Sequence, residues 1–219
     1  MTVGILWDLD GTLLDTLADL SDAVNYALAQ FGFPPRSIQQ VRSFVGNGAA
    51  RLIERALPES SGIDPLQVLA VFQSHYRAHA QDKTAAYPGI VRALTALGRH
   101  YPMAIVSNKP DAAVKLLCAE FFPGIYARGE SADCPRKPAP DMVHSAMQTL
   151  GIEKCIYVGD SEVDIRTAQN AGVPCLSVTW GFRTKQELAQ AGAAHFCDDP
   201  CALAQTLQTM IKPLINHEV

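Results

Sequence analysis

Two carboxylates stand at i and i+2 in Trp7-Asp8-Leu9-Asp10-Gly11-Thr12, directly after the apolar run Val3–Trp7. Such a run reads as a buried strand, and residues two apart on a strand point the same way. Asp8 and Asp10 therefore converge at one strand end, where Gly11 lets the backbone turn sharply. Like charges held this close repel unless a divalent cation or a shared proton compensates them. A structural protein has little reason to carry that repulsion, whereas a metal-assisted enzyme has one.

The elements that must position these residues show in the hydrophobic pattern. Met103–Val106, Cys155–Val158 and Cys175–Val178 are further short apolar runs that read as buried parallel strands, each followed by a helix-like segment. Ile125–Arg128 and Ala194–Cys197 read as weaker strands. The alternation predicts an α/β fold with a Rossmann-like, doubly wound parallel sheet. Ligands in such sheets bind outside the carboxyl ends of the strands. That singles out Asp8-Leu9-Asp10, Ser107-Asn108-Lys109, Gly159-Asp160-Ser161 and Thr179-Trp180-Gly181, of which the first three suit a phosphate and a metal.

From about Leu17 to His79 the alternation stops. Helical spacing takes over in Leu20, Val24, Ala27, Leu28 and Phe31, then in Leu52, Ile53, Ala56 and Leu57, then in Leu66, Leu69, Phe72 and Tyr76. Turn signals at Gly32-Phe33-Pro34-Pro35, Gly46-Asn47-Gly48 and Pro58–Gly62 separate these stretches. The expected organisation is an α/β core from residues 1–16 and 83–219, with a small all-helical cap, residues 17–82, inserted after the first strand. The chain re-enters the core at Tyr87-Pro88-Gly89, with Pro88 expected to open a helix that runs to about Arg99.

With 219 residues, 48% of them apolar, the chain can bury a substantial core. A net charge of -4 without a basic stripe argues against nucleic acid as a partner. No stretch is apolar enough for long enough to span a bilayer, and no signal-type segment opens the chain, so a cytoplasmic protein is expected, monomeric or homodimeric. The six cysteines are scattered without a C-x-x-C pair; Cys197 and Cys201 read as thiols near a turn and a helix start rather than as metal ligands.

Taken in order, Asp8-x-Asp10-Gly11-Thr12, Ser107, Lys137 in Arg136-Lys137-Pro138, and Gly159-Asp160-Ser161-x-x-Asp164 resemble the four signatures of the haloacid-dehalogenase-like phosphatases. The resemblance covers nearly the whole chain, with Trp7 where Phe is common. It implies Asp8 as a nucleophile that forms an aspartyl-phosphate. It implies Asp10 as general acid and then base, with its backbone carbonyl on the metal; a purely metal-binding Asp10 is the alternative. Asp160 would complete a Mg²⁺ site with Asp8 and Asp10. Asp164 would lie behind the metal, orienting Lys137 or a bound water, or else be a first-turn acid favoured by the helix dipole. Ser107 and the Asn108 amide would hold phosphoryl oxygens, and Lys137 would supply positive charge to them. Lys109 is either a phosphate contact or a solvated side chain, and Thr12 either a donor to the substrate or a helix cap.

Dehalogenase members of the superfamily lack the second acid of the pair, so Asp10 implies instead a leaving oxygen that needs a proton. Phosphonate-cleaving members use a lysine in the helical cap to form a Schiff base, and there is no lysine from Leu17 to Asp82. Val45-Gly46-Asn47-Gly48-Ala49, Glu54-Arg55-Ala56-Leu57, Tyr87-Pro88-Gly89, Ser107-Asn108-Lys109-Pro110 and Thr179-Trp180-Gly181-Phe182 are similar to the phosphoglycolate phosphatase family. That implies a small phosphorylated metabolite as partner, foremost 2-phosphoglycolate, with Gly46, Asn47, Gly48 and Arg55 (or Arg51) meeting its carboxylate; the alternative for Gly46-Asn47-Gly48 is an ordinary turn between helices, with glycine there for its backbone freedom. A broad sugar or nucleotide phosphatase and a phosphosugar mutase are the alternatives within the superfamily; retention of every chemical residue argues against a non-catalytic binding protein that keeps the fold.

Overall fold

The structure, a computed structural model, describes residues 2–216. Strand β1 (Val3–Trp7) is buried along its whole length, as a central strand covered on both faces must be. After Asp8–Leu13 comes the two-residue strand β2 (Leu14–Asp15), then four helices in succession: α1 (Leu17–Gln30), α2 (Ile38–Phe44), α3 (Gly48–Ala56) and α4 (Pro65–His79). Strand β3 (Ala85–Ala86) pairs antiparallel with β2, Leu14 opposite Ala86 and Asp15 opposite Ala85. The two chain crossings between the core and the helices therefore run side by side. Asp19, buried at the start of α1, staples them: its carboxylate accepts from the Lys83 and Thr84 amides and from the Thr84 hydroxyl, at 2.8–3.1 Å.

Beyond β3 the chain alternates as expected: α5 (Ile90–Gly98), β4 (Met103–Pro110), α6 (Asp111–Phe121), β5 (Tyr126–Glu130), α7 (Asp141–Leu150), β6 (Lys154–Gly159), α8 (Glu162–Ala171), β7 (Cys175–Val178), α9 (Lys185–Gln190), β8 (Phe196–Cys197) and α10 (Leu203–Asn216). The six-stranded sheet has the order β5-β4-β1-β6-β7-β8, all parallel. Side chains alternate between its faces. Ile5 and Trp7 join the cluster that includes Ile90, Leu97, Leu207 and Ile211, while Leu6 joins Val106, Met142, Val143 and Tyr157 on the other side. The register sets Trp7 beside Ile105 of β4 and beside Val158 of β6. The carboxyl ends of β1 and β6 thus lie level while β4 runs on beyond them, and the chain departs from β1 in both directions, which is where α/β sheets bind ligands.

Helices α1–α4 enclose an apolar cluster of their own, with Val24, Leu28, Ile53, Val68 and Phe72 at its centre. This lobe is helical as expected, but it has one helix more than the periodicity showed. Helix α2 buries only Val41, so it carries no repeating stripe; its signal is the Ser37/Gln40 capping box instead. Helix α5 starts at Ile90, after Gly89, so Pro88 precedes the helix and does not open it. Strand β4 extends to Pro110 with a register shift between Val106 and Pro110, placing Ser107–Lys109 in an irregular strand end and not just past it. No described helix is long and apolar enough to cross a membrane.

Candidate active site

Lys137 is the centre of the charged cluster. It is buried, and its ammonium donates to Asp8 Oδ1 (2.7 Å), Asp164 Oδ1 (2.8 Å) and the Tyr157 hydroxyl (3.0 Å). Asn108 clamps it from the side: Asn108 Oδ1 accepts from the Lys137 amide (2.8 Å), and Nδ2 donates to the Lys137 carbonyl (2.9 Å). The same Nδ2 reaches the Gly46 carbonyl of the lobe (3.1 Å). Three donated bonds leave no proton of the ammonium unused. Burial works against its charge, yet Asp164 and Asp8 hold the ammonium well above the usual lysine range.

Asp8 follows β1 and is tied to β6 through its amide, which donates to Val158 O (2.8 Å). Burial and the charge of Asp164 push its carboxyl well above the usual carboxylate range, against the pull of Lys137. Asp160 follows β6. Its Oδ1 accepts from the Thr12 hydroxyl (3.2 Å) and its Oδ2 from the Phe182 amide (2.6 Å). Burial and Asp164 push this carboxyl up to about 7. The backbone has to approach Asp160 very closely: a Cβ at Gly11 or at Gly181 would overlap its carboxylate. Asp164 sits at the third position of α8 and completes a capping box, with Oδ2 accepting from the Ser161 amide (3.1 Å) and hydroxyl (2.6 Å). This one side chain thus both caps the first turn of α8 and bonds the Lys137 ammonium.

Ligand atoms of Asp8, Asp160 and Asp164 lie within 4.8 Å of one another. Three buried carboxylates face one buried ammonium, an excess of negative charge that a divalent cation fits. Each Asp164 oxygen already accepts from two protein donors, and Asp164 does not line the cavity between the strand ends and the lobe. Among the described residues Asp160 accepts one donor per oxygen and Asp8 one donor in all, so Asp8 and Asp160 are the carboxylates placed to hold it.

Asp10 lines the same cavity as Asp8 but has partners of its own. Its Oδ1 accepts from the Thr16 hydroxyl (2.6 Å) and from the Lys109 ammonium (2.7 Å). Lys109 is buried rather than solvated, and its ammonium lies 4.6 Å from the centre of the Tyr76 ring on α4. The Tyr76 hydroxyl is buried and has no hydrogen-bond partner among the described residues.

A cavity of about 330 Å³ separates the strand ends from the lobe. Asp8, Asp10, Ser107, Asn108, Lys109, Lys137 and Asp160 line its floor. Gly46, Gly48, Leu52, Phe72 and Tyr76 contribute to its roof. Gly46 and Gly48 therefore reach the cavity, whereas Asn47 does not line it. Thr12 serves Asp160 and does not cap a helix. Arg55 requires a correction. Helix α3 turns Leu52, Ile53 and Ala56 inward, so Arg55 emerges on the solvent side, where it donates to Phe44 O (3.0 Å). Arg51 is likewise exposed and pairs with Glu54. Neither arginine lines the cavity.

Sequence reasoning passed over Thr16, Tyr76, Tyr157, Arg42 and Arg183. Thr16 ends the run that begins at Asp8 and was open to notice; Tyr76 stands in an apolar helical stripe and is indistinguishable there from a core residue. Arg183 lines the cavity while bonded to Glu162 Oε2 (2.9 Å) and to the Val45 carbonyl (2.9 Å), and nothing in its sequence neighbourhood announces either contact.

A parallel sheet with carboxylates at the ends of β1 and β6, a serine in the end of β4 and a buried lysine between them defines a class of hydrolase. Residues 5–178 match the haloacid dehalogenase-like hydrolase family, and the chain belongs to it. Among named relatives, phosphoglycolate phosphatase 1 of Pseudomonas aeruginosa is 37% identical over 215 residues, covering 90% of this chain and 79% of its own. A phosphoglycolate phosphatase of Rhodobacter capsulatus is 36% identical over 208 residues, covering 90% of this chain and 94% of its own. A crystal structure from Lactobacillus delbrueckii subsp. bulgaricus, provisionally named a phosphoglycolate phosphatase, superposes with a TM-score of 0.87 at 35% identity, covering 93% of this chain and 97% of that one. The chain is a phosphomonoester hydrolase of this family.

Proposed function

We propose that the protein is a Mg²⁺-dependent phosphatase that works through a phosphorylated Asp8. The observation that carries this reading is the buried cluster of Asp8, Asp160 and Asp164 around Lys137 at the level ends of β1 and β6. Asp8 and Asp160, with the Asp10 main chain, would hold the cation, which would neutralise charge between the nucleophile and the phosphoryl oxygens. Asp8 Oδ1 is fixed by Lys137, whereas Oδ2 has no hydrogen bond from the described residues and is the oxygen available to attack phosphorus. Ser107, the Asn108 main chain and Lys137, which line the cavity, would hold the phosphoryl oxygens. Asp10, held through Oδ1 by Thr16 and Lys109, delivers a proton to the leaving oxygen. It recovers one from the water that then cleaves the acyl phosphate on Asp8. The helical lobe, residues 17–82, acts as a cap that roofs the cavity and excludes water.

The substrate put first is 2-phosphoglycolate, on the strength of the named relatives. A broader phosphomonoesterase is the second reading. What favours it is the roof: Leu52, Phe72, Val45 and Ala49 present apolar surface and more room than a two-carbon acid fills. The deciding experiment is phosphate release from a panel of phosphomonoesters, comparing kcat/KM with Mg²⁺ and with EDTA. Strong preference for 2-phosphoglycolate supports the first reading, and a flat profile over sugar phosphates and nucleotides the second. Metal-independent turnover contradicts the proposed mechanism.

A further inference from the structure

The run Gly181-Phe182-Arg183 connects β7 to α9, so by sequence it belongs to the α/β core. The helical lobe nevertheless holds it. The Phe182 ring is buried in the lobe's apolar cluster. Arg42 on α2 donates from Nη2 to the Gly181 carbonyl (2.9 Å) and from Nε to the Phe182 carbonyl (2.8 Å). In return Arg183 donates to the Arg42 carbonyl (3.2 Å) and the Val45 carbonyl (2.9 Å).

The other side of the same run rests on Asp160. The Phe182 amide donates to Asp160 Oδ2 at 2.6 Å. That amide and the Gly181 carbonyl are the two ends of one peptide unit, which is planar and stiff. A guanidinium that fixes the carbonyl also fixes where the N–H points. The planar fork of arginine can grip two successive carbonyls, which a lysine ammonium cannot do with the same rigidity.

We propose that Arg42 is a positioning residue for the divalent-cation site: by gripping the Gly181 and Phe182 carbonyls it keeps the Phe182 amide on Asp160, and so couples docking of the helical lobe to cation binding. The inference rests on Asp160 being a metal ligand, as proposed above. Coupling of this kind is reciprocal: if docking of the lobe tightens the cation, the cation tightens docking by the same factor.

The test uses Mn²⁺ as probe, its binding followed without substrate by electron paramagnetic resonance of the free ion. The intact protein should bind it; Arg42→Ala should bind about 10-fold more weakly, and Arg42→Lys by an intermediate factor. In the reciprocal arm, Mg²⁺ should slow amide hydrogen exchange in α2 of the intact protein and leave it unchanged in Asp160→Asn. A merely structural Arg42 would lower the melting temperature and leave Mn²⁺ affinity as it was. If circular dichroism shows that Arg42→Ala is unfolded, Arg42→Lys and the exchange arm decide. Intact protein that binds Mn²⁺ beside variants that bind it equally well overturns the role of Arg42 alone. Intact protein that binds no Mn²⁺ overturns the metal reading and this inference together.

Discussion

The floor and the roof of the cavity are built on opposite principles. On the floor most charges are held by several partners: Lys137 by two carboxylates and a phenol, Asp160 by a hydroxyl and an amide, Asp10 by a hydroxyl and an ammonium, and Asp164 behind them by donors on both oxygens, while Asp8 is held on one oxygen by Lys137. The roof offers Leu52 and Phe72; its main-chain carbonyls at Val45 and Gly46 are already taken by Arg183 and Asn108, and Gln73 and Arg77 of α4 line the cavity as exposed residues. Its one buried side-chain donor, the Tyr76 hydroxyl, has no partner among the described residues. Groups that must react are over-determined, because displacement by even an ångström lowers rates steeply. Groups that must choose a substrate present shape and apolar area.

If that contrast is sound, damage on the floor should abolish turnover and damage on the roof should change it little. Asp8→Asn is expected to lower kcat by at least about 10³-fold with the fold intact by circular dichroism; near-normal turnover would remove Asp8 as nucleophile. Lys137→Ala should lower kcat/KM by about 10²–10³-fold. It should also destabilise the protein by about 3–5 kcal/mol in urea titrations, because Asp8 and Asp164 are left buried without their cation.

The metal-free floor should respond to pH in a direction opposite to that of an ordinary salt-bridged carboxylate. The folded Asp160 carboxyl titrates at about 7 against an ordinary 3.8, and Asp8 is raised as well. Between these values the folded state holds more protons than the unfolded one. This contribution to stability is therefore full below about pH 4 and lost as pH rises through 7. Melting of EDTA-treated protein should show the advantage of the native chain over Asp160→Asn shrinking across that window. A gap that widens with rising pH would contradict the sign.

On the roof, Tyr76→Phe removes a buried hydroxyl without a partner and should raise stability by up to about 1 kcal/mol in the absence of substrate. Arg55→Ala should leave kcat/KM within about twofold, and stability within about 0.5 kcal/mol, since its bond to Phe44 O is on the exposed side of α3. A large loss of activity in Arg55→Ala would mean that the lobe turns on binding.

The same contrast explains what could be read in advance. Asp8, Asp10, Asp160 and Asp164 follow apolar strands or open a helix, so local pattern and motif place them at a strand end together. Lys137 is different: only its motif neighbours mark it, and the bonds that bury it come from residues 29 positions before and 27 after it in the chain. Roof residues have no such local signature. Tyr76 is one apolar position among several on α4, and α2 is too short to show a period. Arg42 bonds carbonyls 139 and 140 residues away, and the two-residue strands β2 and β3 carry no alternation at all. Long-range contacts made by main-chain atoms leave no trace in residue type, so they were not legible.

The paired strands β2 and β3 have an evolutionary and engineering consequence. The lobe leaves and rejoins the sheet at adjacent points, closed by Leu14–Ala86 and Asp15–Ala85 and stapled by Asp19. An insertion whose two ends meet can be lengthened, shortened or exchanged without shifting the register of the sheet behind it. The chain is in this respect a socket with a fixed catalytic base, into which a roof grafted from another member of the family could be plugged at Thr16 and Thr84.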